Sequence, residues 1–205
     1  MLLHPALRNL ARFALPVLLL SQVHLTAYGF SCPIWWRRLF PKVNPYHLTL
    51  YQGPYSYYLN AYLRSERHDD PKMELSIATL DREIRAAGPI NPGIYYRGEA
   101  VADESQYRRK VGETFPQFGY FSTSTSLQVA RKHANGKKQP FKIIYKVHVP
   151  KGVSAIPVPL RGPMALWTIW EREVLFPRGL TFRVLAVKQL DESTVLQEVE
   201  MIPAN

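Results

Sequence analysis

The sequence predicts an α+β fold: a largely antiparallel, two-sheet β body with helices packed on one side, in the N-terminal half. Three observations predict it. Helical periodicity dominates up to Gly88, and strand-like segments dominate beyond it. The links between strand candidates are of hairpin length, not the helix-sized crossovers of a regularly alternating sheet. A chain of 205 residues, 46% of them hydrophobic, is long enough to bury one substantial core.

The N-terminus begins with Arg8 and Arg12, continues through the apolar run 13–20, and reaches Ala27-Tyr28-Gly29. Small residues at 27 and 29 suit a signal peptidase, so residues 1–29 read as a secretory signal peptide and 30–205 as the folded domain of a secreted protein. An uncleaved anchor and a buried N-terminal helix are the alternatives; the apolar run is short for a membrane span. Trp35 and Trp36 beside Arg37 and Arg38 read as aromatics packed on the body, with weak membrane-surface contact as the alternative.

"PYSYYLNAYLR", ending at Arg64, reads as a helix with proline at its start. "PKMELSIATLDREIRAAG" reads as a second, with Leu75, Ala78 and Ile84 at helical spacing and Gly88-Pro89 as the stop. "GIYYRGEA" and "FGYFSTSTS" read as strands, and "SLQVARKHANG" as a short helix closed by Asn135-Gly136. In "FKIIYKVHVPKG", Ile143, Tyr145, Val147 and Val149 alternate with Lys142, Lys146 and His148, the pattern of a half-buried strand. "EREVLFPRG", "TFRVLAVKQL" and "TVLQEVEMI" complete the β set.

The net charge is +10, and no Asp or Glu precedes Glu66. That balance suits nucleic acid, an anionic membrane or a phosphate-bearing ligand without choosing among them. Cys32 is the single cysteine, so no intrachain disulfide forms. The six histidines have no metal-ligand spacing, and neither HExxH nor GxGxxG occurs.

Three motifs carry chemistry: Arg97 in "YYRG", Ser122-Thr123-Ser124 after "GYF", and Glu171 with Glu173 in "EREVLFPRG". If the last is a strand throughout, its two carboxylates share one face about 7 Å apart. Like charges that close are costly unless something positive uses them.

In this order the motifs resemble those of the mono-ADP-ribosyltransferases of the Arg–Ser–Glu type, a family that includes bacterial toxins. "YSYYLNAYLR", with Tyr51 nine residues before Asn60, resembles the family's helical signature, and "KIIYKVHVPKG" its strand and turn. The resemblance covers roughly residues 45–200. It implies an ADP-ribosyltransferase-like fold and NAD as a consumed substrate, with no metal. The implied NAD-binding set is Tyr51, Asn60, Arg97, Gly98, Ser122, Thr123, Ser124, His133, Lys137 and Glu173, and the implied catalytic set is Arg97, Ser122, Glu171 and Glu173.

The chemistry supports those roles. Cleaving the nicotinamide–ribose bond builds positive charge on the ribose carbon, which a fixed carboxylate, Glu173, stabilises. Arg97 offers a planar donor fork to pyrophosphate. The Ser122 hydroxyl holds the carboxylate. Glu171 faces the acceptor and assists loss of its proton. In the family, Glu at that position accompanies arginine acceptors, so the implied partner is a target protein with an acceptor arginine rather than nucleic acid.

Two positions depart from the family pattern. An aromatic and then an arginine usually follow the Ser-Thr-Ser helix, where this chain has His133 and then Lys137 or Lys138. The family's tyrosine four residues before Asn60 is Ser56 here, with Tyr55 and Tyr57 on either side. Trp167 and Trp170 read either as contacts to a target or as core. The competing readings are an NAD glycohydrolase, a nucleic-acid ADP-ribosyltransferase and a catalytically inactive interaction module.

Overall fold

A computed structural model of the chain describes Tyr51 and residues 55–65, 68–136, 138–158 and 172–202, all within the unit Phe40–Asn205. The signal-peptide reading, Trp35, Trp36, Arg37, Arg38, Lys137, Trp167, Trp170 and Glu171 lie outside the described residues.

Helix α1 (Tyr55–Arg64) buries Leu59 and Leu63. Helix α2 (Pro71–Ala87) starts where Asp70 accepts from the Lys72 and Met73 amides and a proline fills the first turn. It stops at Gly88, whose φ of 79° suits glycine. The inward face is Ile77, Leu80 and Ile84. Leu75, expected on that face with Ala78, is 66% exposed instead, and Ala78 is exposed as well. Leu75 lies two residues, or about 200° of helix rotation, from Ile77. Ile84 was placed correctly, and the stripe runs through Ile77 and Leu80 to reach it.

The remaining elements are β1 (Gly93–Val101), α3 (Glu104–Tyr107), β2 (Thr114–Gln117), β3 (Phe121–Ser124), α4 (Leu127–Asn135), β4 (Phe141–Val149), β5 (Ile156–Pro157), β6 (Glu173–Phe176), β7 (Leu180–Asp191) and β8 (Thr194–Ile202). The strands connect in the order β2-β7-β8-β4-β1-β3-β6-β5. Among the described residues, all strand pairings are antiparallel except β4 with β8.

This order runs through one weak joint. β1 pairs with β4 along its whole length, from Gly93↔Val149 to Val101↔Phe141. With β3 it shares the single register pair Tyr96↔Ser124. The strands on either side of that joint turn to face each other. Phe121 of β3 packs on Phe182 of β7 with ring centroids 4.9 Å apart, although the two strands are far apart in the hydrogen-bonded order. Tyr95 of β1 meets Phe176 of β6 at 5.4 Å. The described strands therefore form one eight-stranded sheet that bends at β1–β3, so that its two halves pack face to face.

The interior holds Tyr95, Phe121, Ile143, Tyr145, Val147, Val149, Val174, Phe176, Phe182 and Val199. The predicted alternation of β4 places Ile143, Tyr145, Val147 and Val149 there together. On its opposite face Ile144 lies under Ala130 and Ala134 of α4. Ser126 caps that helix and Gly136 closes it. The short elements α3, β2 and β5 carry too few residues for a periodic signal. Pro116 within β2 is tolerated because β2 is an edge strand.

Candidate active site

The site begins where the β1–β3 ladder fails. One residue past the Tyr96↔Ser124 pair, the Arg97 side chain crosses the gap. Its Nη1 donates to the Ser122 carbonyl at 2.7 Å, replacing a strand-to-strand bond the diverging backbones cannot make. Nε and Nη2 both donate to Glu99 Oε1, at 2.9 and 2.6 Å. The guanidinium carbon lies 4.7 Å from the Phe121 ring centroid. Burial works against the Arg97 charge, but the Glu99 carboxylate outweighs it and the pKa is raised. These bonds use three of the five guanidinium N–H groups, and the edge expected to grip pyrophosphate is held by Glu99.

The next strand pair supplies the carboxylate. β3 and β6 run antiparallel with Ser124↔Glu173, Thr123↔Val174 and Ser122↔Leu175 in register. Alternation puts Ser122, Ser124 and Glu173 on one face, and Phe121, Thr123, Val174 and Phe176 on the other. Thr123 is buried and its hydroxyl donates to the Val174 carbonyl at 3.0 Å. Ser124 is also buried, and its Oγ accepts the Ser126 amide at 3.0 Å, turning the chain into α4. Ser122 and Glu173 stay partly exposed, and the Ser122 hydroxyl donates to Glu173 Oε1.

The strand in "EREVLFPRG" starts later than its apolar, β-branched pattern predicts. β6 begins at Glu173, and the preceding Arg172 has φ 43°, in the left-handed region. A non-glycine residue there costs about 1 kcal/mol and breaks the extended geometry. Strand geometry therefore begins at Glu173, and Glu171 lies outside the described residues.

Helix α1 borders this face. Tyr51 is buried, and Asn60 Nδ2 donates to its hydroxyl oxygen at 3.0 Å. Burial pushes the Tyr51 phenol up to about 12, and the charges of Arg97 and Glu173 both act on it. Asn60 Oδ1 accepts the Tyr120 amide at 2.8 Å. Gly119 is required there, since a Cβ would lie 2.5 Å from Asn60 Oδ1. Of the two tyrosines flanking Ser56, Tyr55 bonds Ser76 at 3.0 Å and Tyr57 is 73% exposed.

Gly98 has a packing reason of its own. A Cβ would fall 1.7 Å from the Ala130 carbonyl oxygen, so the bare backbone is what lets α4 lie on β1. His133 and Lys138 are exposed, His133 in the last turn of α4 and Lys138 just beyond it. The structure thus brings together Tyr51, Asn60, Arg97, Ser122 and Glu173, and gives Gly98, Thr123 and Ser124 packing and turn roles. The sequence reading missed Glu99, Gly119 and Tyr120. Glu99 carried a usable signal: a carboxylate two residues after Arg97 shares its strand face.

Residues 36–202 match the ADP-ribosyltransferase exoenzyme family. The chain belongs to that family. No curated protein sequence matches it. Among solved structures, it resembles Vis toxin, an ADP-ribosyltransferase from Vibrio splendidus, with TM-score 0.63 and 19% identity over 81% of this chain and 77% of that one. Plx2a, an ADP-ribosyltransferase toxin from Paenibacillus larvae, gives TM-score 0.60 and 18% identity over 82% and 94%. Exoenzyme S from Pseudomonas aeruginosa gives 0.59 and 21% over 76% and 72%. At these identities the structural likeness bears on the ADP-ribosyltransferase fold alone. In this exoenzyme-family fold, the break between β1 and β3 is where Arg97 and Ser122 meet.

Proposed function

We propose that this protein is an NAD-dependent mono-ADP-ribosyltransferase that moves ADP-ribose onto an arginine of a target protein and releases nicotinamide. One observation carries the reading: the Glu173 carboxylate, oriented by the Ser122 hydroxyl, stays partly exposed beside the bridged gap at Arg97.

NAD supplies the activated glycosidic bond. Glu173 holds negative charge where positive charge develops on the ribose as that bond breaks. Ser122 fixes the rotamer of that carboxylate. Arg97 anchors β3 and turns its two remaining N–H groups to anionic oxygens. Tyr51, kept a neutral phenol by burial and bonded to Asn60 of α1, bounds the site. On the acceptor side Glu171 attracts a guanidinium and takes its proton as the new bond to the ribose carbon forms. The arginine reading is supported by Glu at position 171 and by the capture of Vis with agmatine, a guanidinium compound. Exoenzyme S has been captured with Carba-NAD and with a protein, human 14-3-3 beta. The reading as a secreted toxin or effector rests on the N-terminal pattern.

The test is incubation with labelled NAD, agmatine and a protein mixture, followed by mass spectrometry of the modified residue. The proposal expects label on agmatine and on protein arginine. It also expects Glu171→Gln to lose both while still releasing nicotinamide. Nicotinamide release without transfer would assign the protein as an NAD glycohydrolase. Label found chiefly on DNA or RNA would overturn the arginine assignment.

A further inference from the structure

We propose that Asp81, on helix α2, is a positioning residue for the reaction: it clamps together the ends of the two strands that carry Ser122 and Glu173. The proposal rests on the NAD-consuming reading above for its functional meaning, and on the geometry alone for the clamp.

Asp81 Oδ1 accepts the Tyr120 hydroxyl at 2.7 Å. Asp81 Oδ2 accepts Arg178 Nε at 3.0 Å and Nη2 at 2.9 Å. Tyr120 is the residue before β3, and Arg178 lies two residues after β6. Because β3 and β6 are antiparallel, the start of one and the end of the other coincide at Phe121↔Phe176. One carboxylate therefore closes both strands at the same end. Ser122 and Glu173 sit on this four-residue ribbon, so a shift at the clamped end changes the approach of hydroxyl to carboxylate.

Tyr120 couples the ribbon to more than α2. It is fully buried. Its hydroxyl also lies 3.0 Å from the Ile77 carbonyl, its amide donates to Asn60, and its ring meets Tyr51 edge-on with centroids 5.7 Å apart. The helix side of the site and its strand side are thus both linked through this one residue. Burial and then the Asp81 hydrogen bond push the Tyr120 phenol well above its ordinary value, so it remains a proton donor. An ordinary exposed ion pair would couple nothing of this kind. Arg178 is 43% exposed, but its partner carboxylate is only 15% exposed and bonded on both sides.

The experiment compares Asp81→Asn, Tyr120→Phe, Arg178→Ala and the double variant Asp81→Asn/Tyr120→Phe with wild type, below the unfolding transition of each. Arg183→Ala, which removes an exposed pair with Glu200 on β7–β8, serves as control. Nicotinamide release should show kcat reduced up to about 100-fold in Asp81→Asn, the size expected of a sub-ångström to 1 Å misplacement, with KM for NAD little changed. The double variant should be no worse than Asp81→Asn, since both act through one contact. Amide exchange should quicken at Phe121–Ser124 and Glu173–Phe176 but not in β4 and β8. If Asp81→Asn does not fold, Tyr120→Phe and Arg178→Ala each remove one arm and carry the same expectations. Wild-type kcat in the clamp variants would overturn the positioning role. Unchanged exchange in the two strands would overturn the clamp. A wild type that releases no nicotinamide would instead remove the NAD reading, and the exchange measurement would still decide the clamp.

Discussion

Strand β1 has two neighbours and treats them differently. Towards β4 it forms an unbroken ladder from Gly93↔Val149 to Val101↔Phe141, and that sheet continues in parallel into β8. Towards β3 it forms one pair, and the Arg97 guanidinium takes over. Each side has its ion pairs. On the complete side, Lys146 Nζ and His148 Nε2 meet Glu198 at 3.0 and 2.5 Å, and the backbone ladder there is already satisfied. On the broken side, Arg97 and Glu99 of β1 are 15% and 18% exposed, and their pair holds the guanidinium that bonds across to the Ser122 carbonyl of β3. The comparison teaches that one kind of charge pair can be decoration or scaffold, depending on whether backbone bonds run beside it. The withheld ladder also leaves Ser122 and Glu173 accessible at the split.

Substitutions on the two sides should separate these roles. The largest effect is expected at Gly98→Ala, where the added methyl meets the Ala130 carbonyl at 1.7 Å and α4 must move off β1. A loss of about 3 kcal/mol or more should appear in urea unfolding. Glu99→Ala comes next. It removes the acceptor of two guanidinium N–H groups and should cost about 2 kcal/mol, with a fall in nicotinamide release as Arg97 loosens from Ser122. Glu99→Gln keeps an acceptor oxygen but not the charge that offsets the burial of Arg97, and should recover only part of the stability. An equal loss in both would show that the charge of Glu99, rather than its oxygen, holds the gap.

The smallest effect is expected on the complete side. Glu198→Gln should cost about 1 kcal/mol or less at pH 7. Hydrogen bonds from Lys146 and His148 hold the Glu198 carboxyl below its ordinary value of 4.5. A lowered folded-state pKa contributes stability that is complete above the unfolded value and fades as pH falls through the folded one. The gap between wild type and Glu198→Gln should therefore be present at neutral pH and close below about pH 4.5. A cost at Glu198 matching that at Glu99 would undo the contrast.

Much of this was legible in the sequence, for identifiable reasons. The β4 alternation of Ile143, Tyr145, Val147 and Val149 has a period of two that only a strand satisfies, and α4 announces itself between Ser126 and Gly136. Arg97, Ser122 and Glu173 were legible as residue types in a telling order. The bond between Ser122 and Glu173, by contrast, depends on strand pairing across 51 residues, which no local pattern reports. The left-handed Arg172 was hidden because apolar, β-branched neighbours made the whole stretch read as strand. Leu75 and Ala78 misled because a second helical spacing through Ile84 fits the same residues; Ile77, Leu80 and Ile84 set the buried face. Tyr120 looked like one more strand aromatic, and its links to Asn60 and Asp81 arise from helices far away in the chain.

The most direct measurement is nicotinamide release from NAD by wild type and by Glu173→Gln. The substitution keeps the shape of the side chain and an oxygen to accept the Ser122 hydroxyl, but removes the charge. The account predicts NAD binding within a few-fold of wild type, an unchanged fold, and release slowed by about 10³-fold, the scale of a lost transition-state stabiliser. Release by Glu173→Gln at the wild-type rate would contradict it.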